Sequence, residues 1–146
     1  MKTPTRMLML CLLLLAFSVR AEVQKFGDVD ISYQVVTTDA LPPKLARAYG
    51  IARNKDSLLL MVAMTRSDEN DIPKPVAADV TAHIVNLAEP QPQWIKLRNI
   101  NEGEANYHIG EFHFAAPDAL RFTLTVAEPG AERPYIVDFQ RTFERH

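Results

Sequence analysis

The chain has 146 residues, of which 47% are apolar and 23% charged, with 16 lysines and arginines against 18 aspartates and glutamates. This length fits one domain, and the composition is too apolar for intrinsic disorder and too charged for a bundle of membrane helices. The basic residues are scattered, so the chain offers no electrostatic footprint for nucleic acid.

The chain begins with a leader pattern. Lys2 and Arg6 give a basic start, Met7 to Val19 carries no charge and is rich in leucine, and Val19-Arg20-Ala21 closes the segment with a small residue. The apolar run is about 13 residues, short of the roughly 20 that a helix needs to cross hydrocarbon. We therefore expect residues 1–21 to be a cleavable secretory signal and 22–146 a single exported, periplasmic domain. A retained anchor and a cut a few residues earlier stay open, the latter because Arg20 sits beside the cut. Cys11 lies inside the apolar run rather than after it, which argues against lipid attachment. Removing the leader leaves 125 residues with no cysteine and a net charge of −5. Disulfides are then impossible, so a hydrophobic core must supply the stability. Nor does this acidic chain have an electrostatic reason to seek nucleic acid or, once cut, a membrane.

The mature region reads as short strands separated by turn residues. Val29, Ile31, Tyr33 and Val35 alternate with polar neighbours. Leu41-Pro42-Pro43 breaks that strand and starts a short helix, with Leu45, Ala48 and Tyr49 at helical spacing and Gly50 as its stop; we expect it to plug one end of the sheets. Ser57 to Thr65 is apolar on both faces, which marks a central buried strand, and Met61 and Met64 are read as core. A polar, acidic loop follows from Ser67 to Pro75. Val76 to Leu87 alternates again. Glu89 to Gln93, with two prolines, reads as a connection, and Trp94 to Ile100 as a strand. Ala105 to Phe114, Leu120 to Val126 and Tyr135 to Phe139 complete seven strands. This spacing predicts an all-β, antiparallel sandwich with one short helix. Ala105 and Tyr107 at a strand entry resemble the tyrosine corner of immunoglobulin-like domains, with Gly103 where an aspartate is usual. Ile109 would then hold the buried place of a cysteine, with Trp94 packed near it. Gly50, Trp94 and Tyr107 are thus expected to be structural.

No reactive constellation stands out. His83, His108, His113 and His146 lack metal-ligand spacing, and His108 and His113, five apart on one strand, point to opposite faces. Asp68-Glu69-Asn70-Asp71 has neither the glycine turn nor the distal glutamate of a calcium loop. None of the serines Ser18, Ser32, Ser57 and Ser67 sits in a nucleophile elbow. Glu102 and Glu104 form an exposed pair with no burial to shift them, and five glycines make no phosphate loop. We assign no catalytic residue, no metal site and no cofactor. Tyr49, Arg53 and Lys55, where the helix leaves for the next strand, form the candidate binding cluster, since sandwich proteins place binding residues on such loops. The competing reading makes the same residues a helix cap and its packing.

Phe26-Gly27-Asp28, Ala48 through Lys55, Glu102 through Tyr107 and Leu120-Arg121-Phe122 together resemble a family of small exported gammaproteobacterial proteins classed as a domain of unknown function. The resemblance covers most of the mature chain, implies a periplasmic location and a sandwich, and supplies no catalytic residues. We expect a non-catalytic interaction module that binds another periplasmic or envelope protein. A carrier of a small ligand or metal is the alternative, and an enzyme with an unfamiliar site comes third.

Overall fold

Alternation along the chain builds two sheets face to face, with every second side chain turned inward. The computed structural model describes residues 21–102, 105–114 and 118–144. The expected leader, Gly103 and Glu104 of the proposed corner, and His146 lie outside the described residues. The elements are β1 (Glu22–Phe26), β2 (Val29–Thr37), a 3-10 turn (Thr38–Ala40), α1 (Pro43–Ala48), β3 (Ser57–Ser67), β4 (Pro73–Pro75), β5 (Asp79–Asn86), β6 (Glu89–Ile95), β7 (Arg98–Glu102), β8 (Ala105–His113), β9 (Asp118–Ala127) and β10 (Tyr135–Phe143).

One sheet has the order β1-β2-β3-β8-β7, with the short β4 also paired to β3; the other has the order β10-β9-β5-β6. All pairs are antiparallel. With β2, β3, β8 and β7 as strands A, B, E and D, and β5, β9 and β10 as C, F and G, this is the strand order of an immunoglobulin-type Greek-key sandwich. β6 extends the second sheet beyond strand C.

The interior is aliphatic at its centre. Val29 and Ile31 of β2, Leu58, Leu60 and Val62 of β3, and Phe122, Leu124 and Val126 of β9 are almost wholly buried. Each such side chain contributes about 1.5–3 kcal/mol by leaving water. Where antibody domains place a disulfide and a tryptophan, this cysteine-free interior holds a run of rings. Tyr33 stacks on Phe139 at 4.4 Å, Phe139 lies parallel to Phe122 at 4.8 Å, and Phe122 meets Phe112 edge-on at 5.8 Å. The run crosses from β2 to β10 and β9 and back to β8, stitching both sheets. Ion pairs close the neighbouring strand edges. Arg141 of β10 pairs with Glu22 of β1, and Arg66 bridges Asp28 and Glu128.

Several expectations need correction. β1 and β4 join the first sheet as strands the alternation did not reveal, because both are short and largely exposed. The expected strand Trp94 to Ile100 is two strand ends in different sheets: β6 finishes at Ile95, and β7 starts at Arg98. The proline-rich stretch before it is β6 itself, an edge strand where a missing N–H is tolerated, with a register shift opposite Val85 and Asn86. The linking residues cross over β8 at Gly110. A Cβ there would lie 2.6 Å from Ile95 Cγ2 and 2.8 Å from the Lys96 carbonyl oxygen, so only glycine lets the chain change sheets at this point.

α1 does not plug an end of the sandwich. It lies on the outer face of the larger sheet, where Ala46, Leu41, Tyr49 and Ile51 bury against Val36, Leu59 and Ile109. This explains why β3 is apolar on both faces: Leu58, Leu60 and Val62 face the interior, while Leu59 faces the helix. Ile109 is therefore buried, but outside the sandwich rather than between its sheets. Tyr107 packs into the same outer layer, on β8 and opposite Ile100 of β7. The penultimate strand is β9, so Tyr107 does not hold a tyrosine-corner position. Trp94 is far from the core, 68% exposed.

Candidate binding surfaces

The expected cluster of Tyr49, Arg53 and Lys55 does not converge. Tyr49 is 8% exposed in the outer apolar layer, and its carbonyl receives the Arg98 guanidinium. Arg53 turns away and donates to the Asp39 carbonyl at 2.7 Å, while Lys55 lies exposed in the turn before β3. Gly50 has φ +67°; its N–H reaches the Arg47 carbonyl and that of Ile51 the Ala46 carbonyl, closing the helix. The loop is fixed from below by Thr38, wholly buried. Its hydroxyl donates to the Asn54 carbonyl at 2.8 Å and accepts the Asn54 N–H at 2.8 Å. These contacts are those of a helix cap and a pinned loop.

The acidic loop also works on its own backbone. Asp68 Oδ1 accepts the N–H groups of Asn70 and Ile72, Asp71 adopts φ 58°, and Lys74 pairs with Asp68 at 3.3 Å. The backbone hydrogen bonds hold the Asp68 carboxyl below its ordinary pKa.

The three described histidines stand apart. His83 lies on the outer face of the smaller sheet, 5.1 Å from the Trp94 ring. His108 accepts from Asn99 at 3.4 Å and lies near Asp79 and the Ala78 backbone; burial lowers its pKa despite the nearby Asp79 charge. His113 Nδ1 is 3.0 Å from Ser57 Oγ, and Ser57 is only 6% exposed, so that hydroxyl is closed to a substrate. Among the described residues no group of three His, Cys, Asp or Glu side chains could hold a metal ion.

Sequence reasoning missed a groove on the outer face of the larger sheet. About 550 Å³ in volume, it runs between Leu45 and Tyr49 on the α1 side and Pro73 and Pro75 of β4. Its floor includes Met61 and Ala63. Met61, expected in the core, reaches it because residues three apart on a strand face opposite ways; Met64 is buried in the interior. β8 pairs with β3 only up to Val62, and β4 pairs from Thr65 onward, so the groove overlies the seam between them. At this seam Asn106 Oδ1 is buried without a hydrogen-bond partner. A buried acceptor left unpaired costs about 1–3 kcal/mol.

These features define an all-β, antiparallel sandwich with candidate binding surfaces on its outer faces. The family model described as "Domain of unknown function (DUF4426)" matches residues 23–144, and the chain belongs to that family. A crystal structure of a DUF4426 family protein from Pseudomonas aeruginosa is similar at a TM-score of 0.73 and 28% identity, covering 89% of this chain and 98% of that one. More distant folds include a copper-bound variant of FetP from uropathogenic Escherichia coli (TM-score 0.61, 10% identity, 84% of this chain and 94% of that one). A copper-bound variant of P19 from Campylobacter jejuni is similar at a TM-score of 0.57 and 10% identity, covering 85% and 94%. Comparison with curated proteins yields no match.

Proposed function

We propose that the protein is a non-catalytic binding module of the periplasm, and that the α1–β4 groove receives an extended segment of another envelope protein. The observation that carries this reading is the mostly apolar groove itself, floored by Met61 and Ala63 and walled by Leu45, Tyr49, Pro73 and Pro75. An extended peptide would lay apolar side chains against Met61, Ala63 and the rim prolines, the side-chain fit by which such segments are recognised. Export is supported by the leader pattern and by a family match that starts at residue 23.

Copper carriage, the reading suggested by the copper-bound FetP and P19 structures, has the fold in its favour. The described donors do not fit it. Copper takes imidazole and sulfur ligands in one coordination sphere, whereas His83, His108 and His113 are dispersed, and no histidine lines the groove that holds Met61.

Photo-crosslinking in living cells tests the proposal, with probes replacing Ser32 and Thr65 beside the groove and Thr125 on the opposite sheet as control. We expect discrete protein adducts from the groove probes alone, lost when Met61→Arg is added to a chain that still melts normally. Identical adducts from Thr125, or none from the groove, would overturn it.

A further inference from the structure

The outer face of the smaller sheet carries a second arrangement, which the groove does not explain. Register places four side chains in one row across all four strands: Trp94 opposite His83, His83 opposite Thr123, and Thr123 opposite Asp138. The Trp94 ring stands exposed on the edge strand, edge-on to His83. Thr123 Oγ1 donates to Asp138 Oδ1 at 2.7 Å, which leaves the second carboxylate oxygen and the threonine lone pairs facing outward. The adjacent row holds Arg121 opposite Gln140. Among the described residues Arg121 makes no ion pair, although Asp138 lies diagonally across from it. Between the rows is a shallow hollow of about 560 Å³.

We infer that this face is a carbohydrate-binding platform for a short pyranose oligosaccharide. A pyranose has an apolar C–H face, which is attracted to the negative face of an indole, and a rim of hydroxyls that each donate and accept. The row meets both needs. Trp94 supplies the aromatic surface, while Asp138, Arg121 and Gln140 supply planar groups able to grip neighbouring hydroxyls in pairs. Two opposite charges that leave each other unpaired suit a neutral, hydroxyl-rich ligand better than an anion or a cation. Four strands at about 4.8 Å spacing make a row about 14 Å long, room for roughly two to three sugar rings. A second copy of the chain is the poorer occupant, because Pro92 in β6 withholds the N–H that edge-to-edge pairing uses.

Trp94 is the only tryptophan, so its emission reports this site alone. The mature chain is titrated with chitotetraose, cellotetraose and maltotetraose, followed by fluorescence and by calorimetry. We expect a saturable emission change with at least one of them. Calorimetry should show binding weakened about tenfold or more by Trp94→Ala and by Arg121→Ala, and largely kept by Trp94→Phe, with melting temperatures unchanged. Silence with all three sugars overturns the inference, as does binding that Trp94→Ala leaves intact. A homodimer in sedimentation that Trp94→Ala dissociates would equally overturn it, by giving the face to a second copy. None of these outcomes depends on the groove, whose crosslinks Trp94→Ala should leave unchanged.

Discussion

On β3 the side chains pointing away from the sandwich interior are Leu59, Met61 and Ala63, and α1 with its flanking loops buries the first of them completely. On β9 the corresponding residues are Arg121, Thr123 and Thr125, which stay partly or fully exposed. Both strands sit inside their sheets, and both present aliphatic or aromatic residues to the shared core. The contrast shows that only one outer face is covered by a second apolar layer. The larger sheet has a second, thin core and a mostly apolar groove beside it; the smaller sheet has a largely polar, charged surface on which Val85, Ile136 and the Trp94 indole stand uncovered.

The sharpest way to break that comparison is to shorten equivalent outward residues. Leu59→Ala should cost about 2–5 kcal/mol, because it opens a cavity between sheet and helix. Thr123→Ala should stay within about 1 kcal/mol, losing one exposed hydrogen bond to Asp138. Denaturant melts of the two variants check this. Equal costs would mean that α1 adds no core of its own.

Gly110→Ala comes next. The added methyl would press on Ile95, Leu97 and the Lys96 carbonyl where the chain passes from the smaller sheet to the larger. Overpacking of this kind costs about 1–3 kcal/mol. Backbone cannot yield as a long side chain can, so the upper end is expected in chemical denaturation. A neutral result would show that the crossover relaxes freely and that the two sheets are less tightly coupled than the ring run suggests.

Thr38→Val tests how firmly the helix layer is held from its loop side. The substitution keeps the shape but strips both bonds from Asn54, leaving a donor and an acceptor at the buried end of the loop. We expect a loss of about 1–3 kcal/mol. Amide exchange should accelerate in residues 50–56 and around α1, and not in β9 or β10.

The same contrast explains what was legible in the sequence. The interior was readable because period-two alternation runs from Val29 to Val35 in β2, from Val80 to Ile84 in β5 and from Leu120 to Val126 in β9. The outer layer was harder to see. Ser57 to Thr65 announced two buried faces, but nothing in its pattern said whether the second cover was a sheet or the neighbouring helix. Two misplacements could have been avoided by parity alone. Ile95 faces the core, so its neighbour Trp94 must face solvent; Met61 and Met64, three apart, cannot share a face. The β6–β7 break was hidden for a different reason. Lys96 and Leu97 continue the alternation while the strand changes sheets, and only Gly110, far along the chain, shows how closely they pass. The groove was not readable at all, since it depends on where pairing to β8 stops and pairing to β4 begins.

The smallest expected effect concerns His108, at the seam between the two layers. Burial lowers its pKa in the folded chain, and the opposing pull of Asp79 and a hydrogen bond to the Ala78 backbone does not cancel this. The folded protein therefore binds fewer protons here than the unfolded chain does, and stability rises with pH across the interval between the two values. The contribution is whole above the ordinary histidine value and fades as pH falls below it toward the folded value. Melting temperatures measured from about pH 7.5 down to 5 should fall more steeply for the wild type than for His108→Gln, which keeps a hydrogen-bonding side chain without the charge. Asp79→Asn removes the only carboxylate identified as favouring the protonated ring, so its melting temperature should fall more steeply still. Parallel curves for all three proteins would mean that His108 meets as much water in the folded chain as in the unfolded one, and that the sandwich is open at this end.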